Sequence, residues 1–143
     1  MMIIRALVLV SALFTAGLAT PALACSCARN PTAEGLLQDA AAIFTGVVQD
    51  SRAVAPGVSV TTFRVTEAFK GADQGAIVRV RHRSGSSASC GVQFARGTSY
   101  TLAAHAGGSE PGLSASLCST WMFMPQVGLS AELIARMRSL RAR

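Results

Sequence analysis

Cys25 and Cys27 stand two residues apart, directly after Ala22-Leu23-Ala24. Small residues at positions 22 and 24 are what a signal peptidase reads, so cleavage after Ala24 would leave Cys25 as the first residue of the mature chain. An N-terminal cysteine fixed by a disulfide presents its α-amino nitrogen and its own carbonyl oxygen side by side. That pair is a neutral, five-ring chelator for a metal ion. Zinc held by three protein ligands keeps an open position, and such a pair can fill it without bringing negative charge. The amine must be unprotonated, and with a reference pKa of about 7.7–8.0 the cost of this near neutral pH is small. The end of the chain is therefore the first candidate for its active part.

All four cysteines, Cys25, Cys27, Cys90 and Cys118, lie beyond the cleavage point. An even count in an exported protein predicts two disulfides. A bond between Cys25 and Cys27 would close a strained ring across one residue, so these two are expected to reach Cys90 and Cys118, in either order. Other chemistry is thinner. Arg79, Arg81 and Arg83 alternate along one strand face, but nucleic-acid binding normally adds stacking aromatics, and Phe63 and Phe69 read as core. The stripe is expected to be a solvated edge or an anionic-glycan contact, with no nucleic acid as partner. His82 falls in the inward phase of Val78 and Val80, and His105 ends its strand beside glycines; both read as barrel-end histidines rather than ligands. Met122-Phe123-Met124 has the softness for copper ligation and would suit a metal carrier, yet Met beside Trp121 more often packs a core. No paired carboxylates and no Ser/His/Asp set occur in motif context. The chain is expected not to be an enzyme, and to carry no cofactor and no metal of its own.

Arg5, the apolar run Ala6 to Leu18 and the small residues at the cleavage site complete a signal peptide over residues 1–24. That run is shorter than the roughly 20 residues a bilayer span requires. A lipobox would want a large aliphatic residue at 22 and a small one at 23, the reverse of Ala22 and Leu23, which disfavours a lipid anchor at Cys25. The expected product is periplasmic or extracellular, with no transmembrane segment. Removing 24 of 143 residues leaves 119, enough for one domain, 25–143, expected as a monomer. Without Arg5 the formal charge of +6 becomes +5, and Arg136, Arg138, Arg141 and Arg143 crowd the last eight residues.

The elements that must hold these cysteines are mostly strands. Pro31 to Ala40 predicts a short helix, with Asn30 as cap, Pro31 at the first position and Glu34 in the first turn. Period-two patterns follow: Ala42 to Asp50 with Phe44, Gly46 and Val48 on one side; Val58 to Phe69, ended by Lys70-Gly71; Ala76 to Arg83; Thr98 to His105 with Tyr100, Leu102 and Ala104 inward; and Gly112 to Ser119 with Leu113, Ala115 and Leu117 inward. In the second strand the apolar phase shifts between Val60 and Phe63, which predicts a bulge or strong coiling. In the last, Cys118 shares its face with Ser114 and Ser116, pointing its disulfide outward. Five strands without long intervening helices predict an all-β fold, a five-stranded Greek-key barrel closed on itself. From Ser130 a C-terminal helix carries Leu133, Met137 and Leu140 toward the barrel, with its arginines in water.

Cys-x-Cys at the mature start, Phe63-x-Val65 leading to Phe69-Lys70-Gly71, Ser89-Cys90-Gly91 and Cys118-Ser119 together resemble the netrin-like fold of the tissue inhibitors of metalloproteinases, in their N-terminal inhibitory domain. The resemblance implies an oligonucleotide/oligosaccharide-binding (OB) type barrel with a disulfide-clamped N-terminus, Cys25 bonded to Cys90 and Cys27 to Cys118. By the chain-entropy model, loops of this length would each contribute on the order of 4 kcal/mol. It further implies that the Cys25 amine and carbonyl bind the catalytic zinc of a secreted metalloprotease, that Ser26 enters its specificity pocket, and that Cys27 with Ala88-Ser89-Cys90 forms the adjoining contact. The family's third disulfide and C-terminal domain have no counterpart in these residues, and the turn Ser51 to Gly57 reads as short. Fold does not fix function; a secreted netrin-like binding module without inhibitory activity is the alternative.

Overall fold

The computed structural model describes residues 32–85, 90–108, 111–120 and 129–142. Helix α1 (Ala33–Asp39) starts two residues later than the Asn30 cap would require. Thr32 is the cap instead: its Oγ1 accepts a hydrogen bond from the Gly35 N–H at 3.0 Å. Residues 30 and 31 lie outside the described residues. The helix buries Ala33 and Leu36.

Five strands follow, β1 (Ala42–Ala55), β2 (Val58–Lys70), β3 (Ile77–Arg83), β4 (Ser99–Ala106) and β5 (Leu113–Ala115). They form a closed barrel in the order β1-β2-β3-β5-β4, with β4 pairing back onto β1. All neighbours are antiparallel except β3 and β5, which run parallel. The fold is thus the expected all-β barrel with small helices, closed by the pairing of β1 with β4 over Ala42–Val47, beyond which the β1–β2 hairpin projects.

The interior follows the alternation of the strands. Phe44, Val48, Phe63, Val65, Val80 and Leu102 are buried in it together. Gly46 leaves little room for a side chain: a Cβ there would stand 3.1 Å from the Phe63 Cβ and 3.2 Å from the Arg64 carbonyl oxygen, so its neighbours would have to give. β1 and β4 are buried on their other face too, where Ile43 and Ala103 join Ala33, Leu36 and Met137 in a second apolar cluster under the helices. Gly71, just after β2, takes φ 62° against Ala41, whose carbonyl oxygen occupies the space a Cβ would need.

Three expectations are corrected. First, β1 does not stop at Asp50. It continues to Ala55, so the β1–β2 connection is a long hairpin with its turn at Pro56-Gly57 rather than a loop from Ser51. Second, β2 has no phase shift between Val60 and Phe63. Ser59, Thr61, Phe63 and Val65 are buried in unbroken alternation, while Val60 faces the other way. The misreading came from following apolar residues alone where the interior turns polar. The irregularity sits opposite, on β1, where Gln49 is the extra residue between the pairs Val48↔Phe63 and Asp50↔Thr62. Third, β5 is only three residues long. Ser116 N–H donates to Ser119 Oγ at 3.1 Å and Ser119 N–H donates to Ser116 O at 2.9 Å, a reciprocal cap that starts helix α2 (Leu117–Thr120). Cys118 is therefore helical, and a strand-phase argument for its direction does not apply.

Helix α3 (Leu129–Arg141) packs on the barrel as expected, with Met137 fully buried and Leu133, Ile134 and Leu140 partly buried around it. Its arginines lie at the surface but not idle in water. Arg136 donates to Glu34 on α1, Arg138 makes a two-pronged contact with Glu67 on β2 at 2.8 and 2.7 Å, and Arg141 donates to the Ala68 carbonyl while lying over the Phe69 ring. The hydrogen bond from Arg138 holds the Glu67 carboxyl below its ordinary range, and Glu34 is lowered by its backbone hydrogen bond and then by Arg136. Such exposed pairs orient the helix more than they hold it; Met137 holds it. Met137→Ala should lower the unfolding free energy by about 2–5 kcal/mol, as expected for emptying a fully buried methionine site, and Arg138→Ala by much less. Urea denaturation followed by circular dichroism measures both, and an unchanged midpoint for Met137→Ala would mean the helix is not docked.

Candidate functional site

β3 and β5 lie side by side and run the same way, from Val80↔Leu113 to His82↔Ala115. Cys118 comes three residues beyond Ala115. After β3 the chain loops out and returns, because Val92 N–H donates to Arg83 O at 2.9 Å, and Cys90 precedes that anchor by two residues. Cys90 and Cys118 thus follow, by seven and three residues, two strands that lie side by side and run parallel. The turn of the β1–β2 hairpin is at the same end, tied down by a hydrogen bond from Ser84 N–H to Gly57 O at 3.0 Å. Both cysteines are disulfide-bonded and not free thiols.

Cys90 has φ 57°, the left-handed region that costs a non-glycine residue roughly 1–2 kcal/mol. What holds it there is the segment that follows. Gly91 is pressed so closely on the Gly85 backbone that a Cβ would fall within 2.8–2.9 Å of its atoms, and Val92 and Phe94 are buried in the barrel core. Phe94 packs edge-on against Phe63 (5.2 Å between centroids), Tyr100 (5.1 Å) and His82 (4.8 Å). Ala95 N–H donates to the Tyr100 hydroxyl at 3.1 Å. Neither Val92 nor Phe94 belongs to a strand, so period-two reasoning passed over both; the remaining signal was an aromatic residue two positions from a valine next to Cys90-Gly91.

The interior at this end is polar. His82 is 4% exposed, with Nδ1 3.1 Å from the Arg83 carbonyl oxygen and Nε2 2.8 Å from Thr61 Oγ1, which in turn lies 2.7 Å from Ser51 Oγ. A carbonyl only accepts, so Nδ1 carries the proton. Neutral Nε2 then accepts from the Thr61 hydroxyl, and Thr61 accepts from Ser51. The chain runs from a buried ring to an exposed serine with every member satisfied. Thr61 is fully buried and separates His82 from Ser51, so this is a satisfied polar plug and not a nucleophile with its base. Burial pushes the His82 pKa below its ordinary value, partly opposed by backbone hydrogen bonds at Arg83 and Val92.

Of the expected protease-contact set, Cys25, Ser26, Cys27, Ala88 and Ser89 lie outside the described residues, as do Trp121 and Met122-Phe123-Met124. Within them stand Cys90 and its counterpart in the disulfide scheme, Cys118. Arg79 and Arg83 are exposed and Arg81 half-buried on the outer face of β3; His82 is the expected barrel-end histidine, and His105 is exposed near the end of β4. Among the described residues no three His, Cys, Asp or Glu side chains are grouped to hold a metal ion, and no helix is long and apolar enough to cross a membrane. No protein-family model matches the chain, and no curated protein does.

The lowered His82 pKa sets the sign of a pH dependence. The unfolded state takes up a proton near pH 6.5 and the folded state only at lower pH, so stability present above 6.5 is lost as pH falls from there toward the folded-state pKa. Glu34 and Glu67, whose values are lowered from 4.5, add a separate loss only below that range. Melting temperatures between pH 8 and 5 should therefore decline for the native protein and stay nearly flat for His82→Gln, itself less stable throughout. Parallel declines in the two would refute the assignment to His82.

Proposed function

We propose that the chain is an exported, netrin-like single-domain protein of OB type that inhibits a secreted zinc metalloprotease through Cys25. The observation that carries this reading is the placement of Cys90 and Cys118 seven and three residues after the parallel, neighbouring β3 and β5, both in disulfides. A Cys-x-Cys segment spans at most about 7 Å between its two Cα atoms, and a disulfide bridges Cα atoms about 4.4–6.8 Å apart. Two disulfides can leave such a segment only if their partners are close together. Partners that follow closely on neighbouring strand ends can meet that condition; partners at opposite ends of a barrel would not. The strand order β1-β2-β3-β5-β4 with its single parallel pair supports the OB-type assignment, and the buried Phe63 and Val65 support the strand match on which the resemblance rests.

In this reading Cys25 bonds Cys90 and Cys27 bonds Cys118. The Cys25 amine and carbonyl occupy the open position of the protease zinc and displace the water that would attack substrate. Ser26 fills the adjoining specificity pocket. The ridge 88–90 is held against them, with the strained Cys90 backbone fixed by the buried segment behind it. The β1–β2 hairpin, longer than the sequence suggested, adds an exposed arm at the same end.

Two measurements test the proposal. Non-reducing peptide mapping should return Cys25–Cys90 and Cys27–Cys118; a Cys25–Cys118 link removes the clamp as described. Against a panel of secreted zinc proteases, the mature protein should inhibit at least one member, and one alanine added before Cys25 should abolish inhibition with both disulfides intact, because an amide nitrogen is a poor zinc donor. Ser26 substitutions should shift which protease is preferred. Equal inhibition by native and extended protein would exclude chelation, and inhibition by neither would favour the non-inhibitory binding module.

A further inference from the structure

The outward residues of β1, β2 and β3 align in rows across the sheet. Arg52 faces Val60, which faces Arg81; in the next row Asp50 faces Thr62, which faces Arg79. Strand spacing of about 4.8 Å and a rise of about 3.4 Å per residue put Arg52 and Arg81 about 10 Å apart across Val60, and Arg79 about 7 Å from Arg81, at the level of the backbone. A cleft of ≈ 250 Å³ lies among these residues, closed on one side by Pro111-Gly112. A second, of ≈ 320 Å³, shares Arg81 and adds Arg83, with Ser114 on its wall. Four guanidiniums therefore border two adjoining clefts.

Asp50 is the one carboxylate in these rows and offsets part of their charge, but among the described residues none of the four arginines is in an ion pair. The ion pairs among the described residues are Arg136–Glu34 and Arg138–Glu67, both made by α3. Four positive charges against one carboxylate, with nearest neighbours about a Debye length or less apart, repel on balance. The row is thus a liability to the empty protein and an asset only when an anion lies across it. Guanidinium forks match phosphate oxygens two at a time. The backbones of these residues stand about 7–10 Å apart, so their side chains can be distributed over several phosphate groups in succession. Base recognition has no footing here: the aromatic rings that pack among the described residues are in the barrel interior, or under Arg141, and single-stranded nucleic acid is held largely by stacking.

The geometry points to a binding site on the β1–β2–β3 face, at Arg52, Arg79, Arg81 and Arg83, for a ligand that carries two or more phosphate groups in succession. This site stands independently of the protease reading, since it uses none of the N-terminal residues. Free polyphosphate and the crowded headgroups of an acidic phospholipid surface present the same chemistry, and the experiment separates them. The exported protein is titrated with sodium tripolyphosphate by calorimetry, and sedimented with phosphatidylcholine vesicles with and without phosphatidate.

Saturable binding to tripolyphosphate is expected, at least tenfold weaker in Arg79→Gln/Arg81→Gln and changed less than twofold in Arg96→Gln/Arg136→Gln, which removes the same charge elsewhere. Arg79→Lys/Arg81→Lys keeps the charge and loses the fork, and should fall between; it also serves if the glutamine variant does not fold, as judged by its melting temperature. Binding to phosphatidate vesicles alone, with the same dependence on Arg79 and Arg81, supports the site and assigns it to a lipid headgroup. Absence of both, equal losses in the site and control variants, or tighter binding of oligothymidylate than of tripolyphosphate would overturn it.

Discussion

A single non-strand side chain, Phe94, ties the candidate site to the barrel. Edge-to-face contacts run from Phe44 to Phe63 to Phe94, and from Phe94 to both Tyr100 and His82. The first two rings belong to strands and point inward through the alternation of β1 and β2. Phe94 arrives from the segment after Cys90, so burying it draws that segment onto the end of β3, where Val92 pairs with Arg83. An aromatic side chain buries about 150–250 Å², and at about 25 cal/mol per Å² that is several kcal/mol. This exceeds the roughly 1–2 kcal/mol of the left-handed Cys90 backbone. The strain persists because the core on one side and the disulfide on the other leave the residue no alternative.

The same end of the barrel shows how a small fold handles the mouth of its core. Phe44, Val65 and Leu102 make the interior apolar over one part, and on the outer face of the same strands Ile43 and Ala103 pack against Met137 and α1. Toward the hairpin the strands supply Ser59, Thr61 and His82, whose polar atoms need partners once buried. For Thr61 and His82, Ser51 and the Arg83 carbonyl complete one chain of hydrogen bonds with no charge involved. Protonating His82 would not break this chain, since each hydroxyl can reverse its donor. The opposing term is desolvation of the cation beneath Phe94, which explains why burial leads the causes of its lowered pKa.

What could be read from residues alone follows from which signal each element carries. Where apolar residues alternate, as at Phe44, Gly46 and Val48 or Val78 and Val80, both the strand and its inward face were legible. Where inward positions are polar, as at Ser59 and Thr61, an apolar pattern points to Val60 and invents a phase shift the chain does not have. Local chemistry misled at two ends: Pro31 suggested an early helix start that the Thr32 side chain sets instead, and Leu113 to Ser119 alternates well enough to hide the Ser116–Ser119 cap. Tertiary facts left no local trace. Phe94 sits in no periodic pattern, Arg52 joins Arg79 and Arg81 only through cross-strand register, and the α3 arginines find Glu34 and Glu67 across the fold.

Arginine placement separates two physical roles within one basic chain. On α3, Arg136, Arg138 and Arg141 meet carboxylates, a carbonyl and a ring, so their charge is spent inside the molecule on orienting a helix that Met137 anchors. On β3 the charges alternate with Val80 and His82, whose inward burial forces their neighbours out whatever they are. Strand geometry alone would accept threonine there at less electrostatic cost. A surface that keeps three guanidiniums in a line on β3, outside any ion pair among the described residues, with one of them in register with a fourth from the hairpin and a single carboxylate nearby, is therefore poorly explained by folding alone. The long hairpin is needed for that alignment: had β1 ended at Asp50, Arg52 would have no register with Val60, and the row would lose one of its two banks.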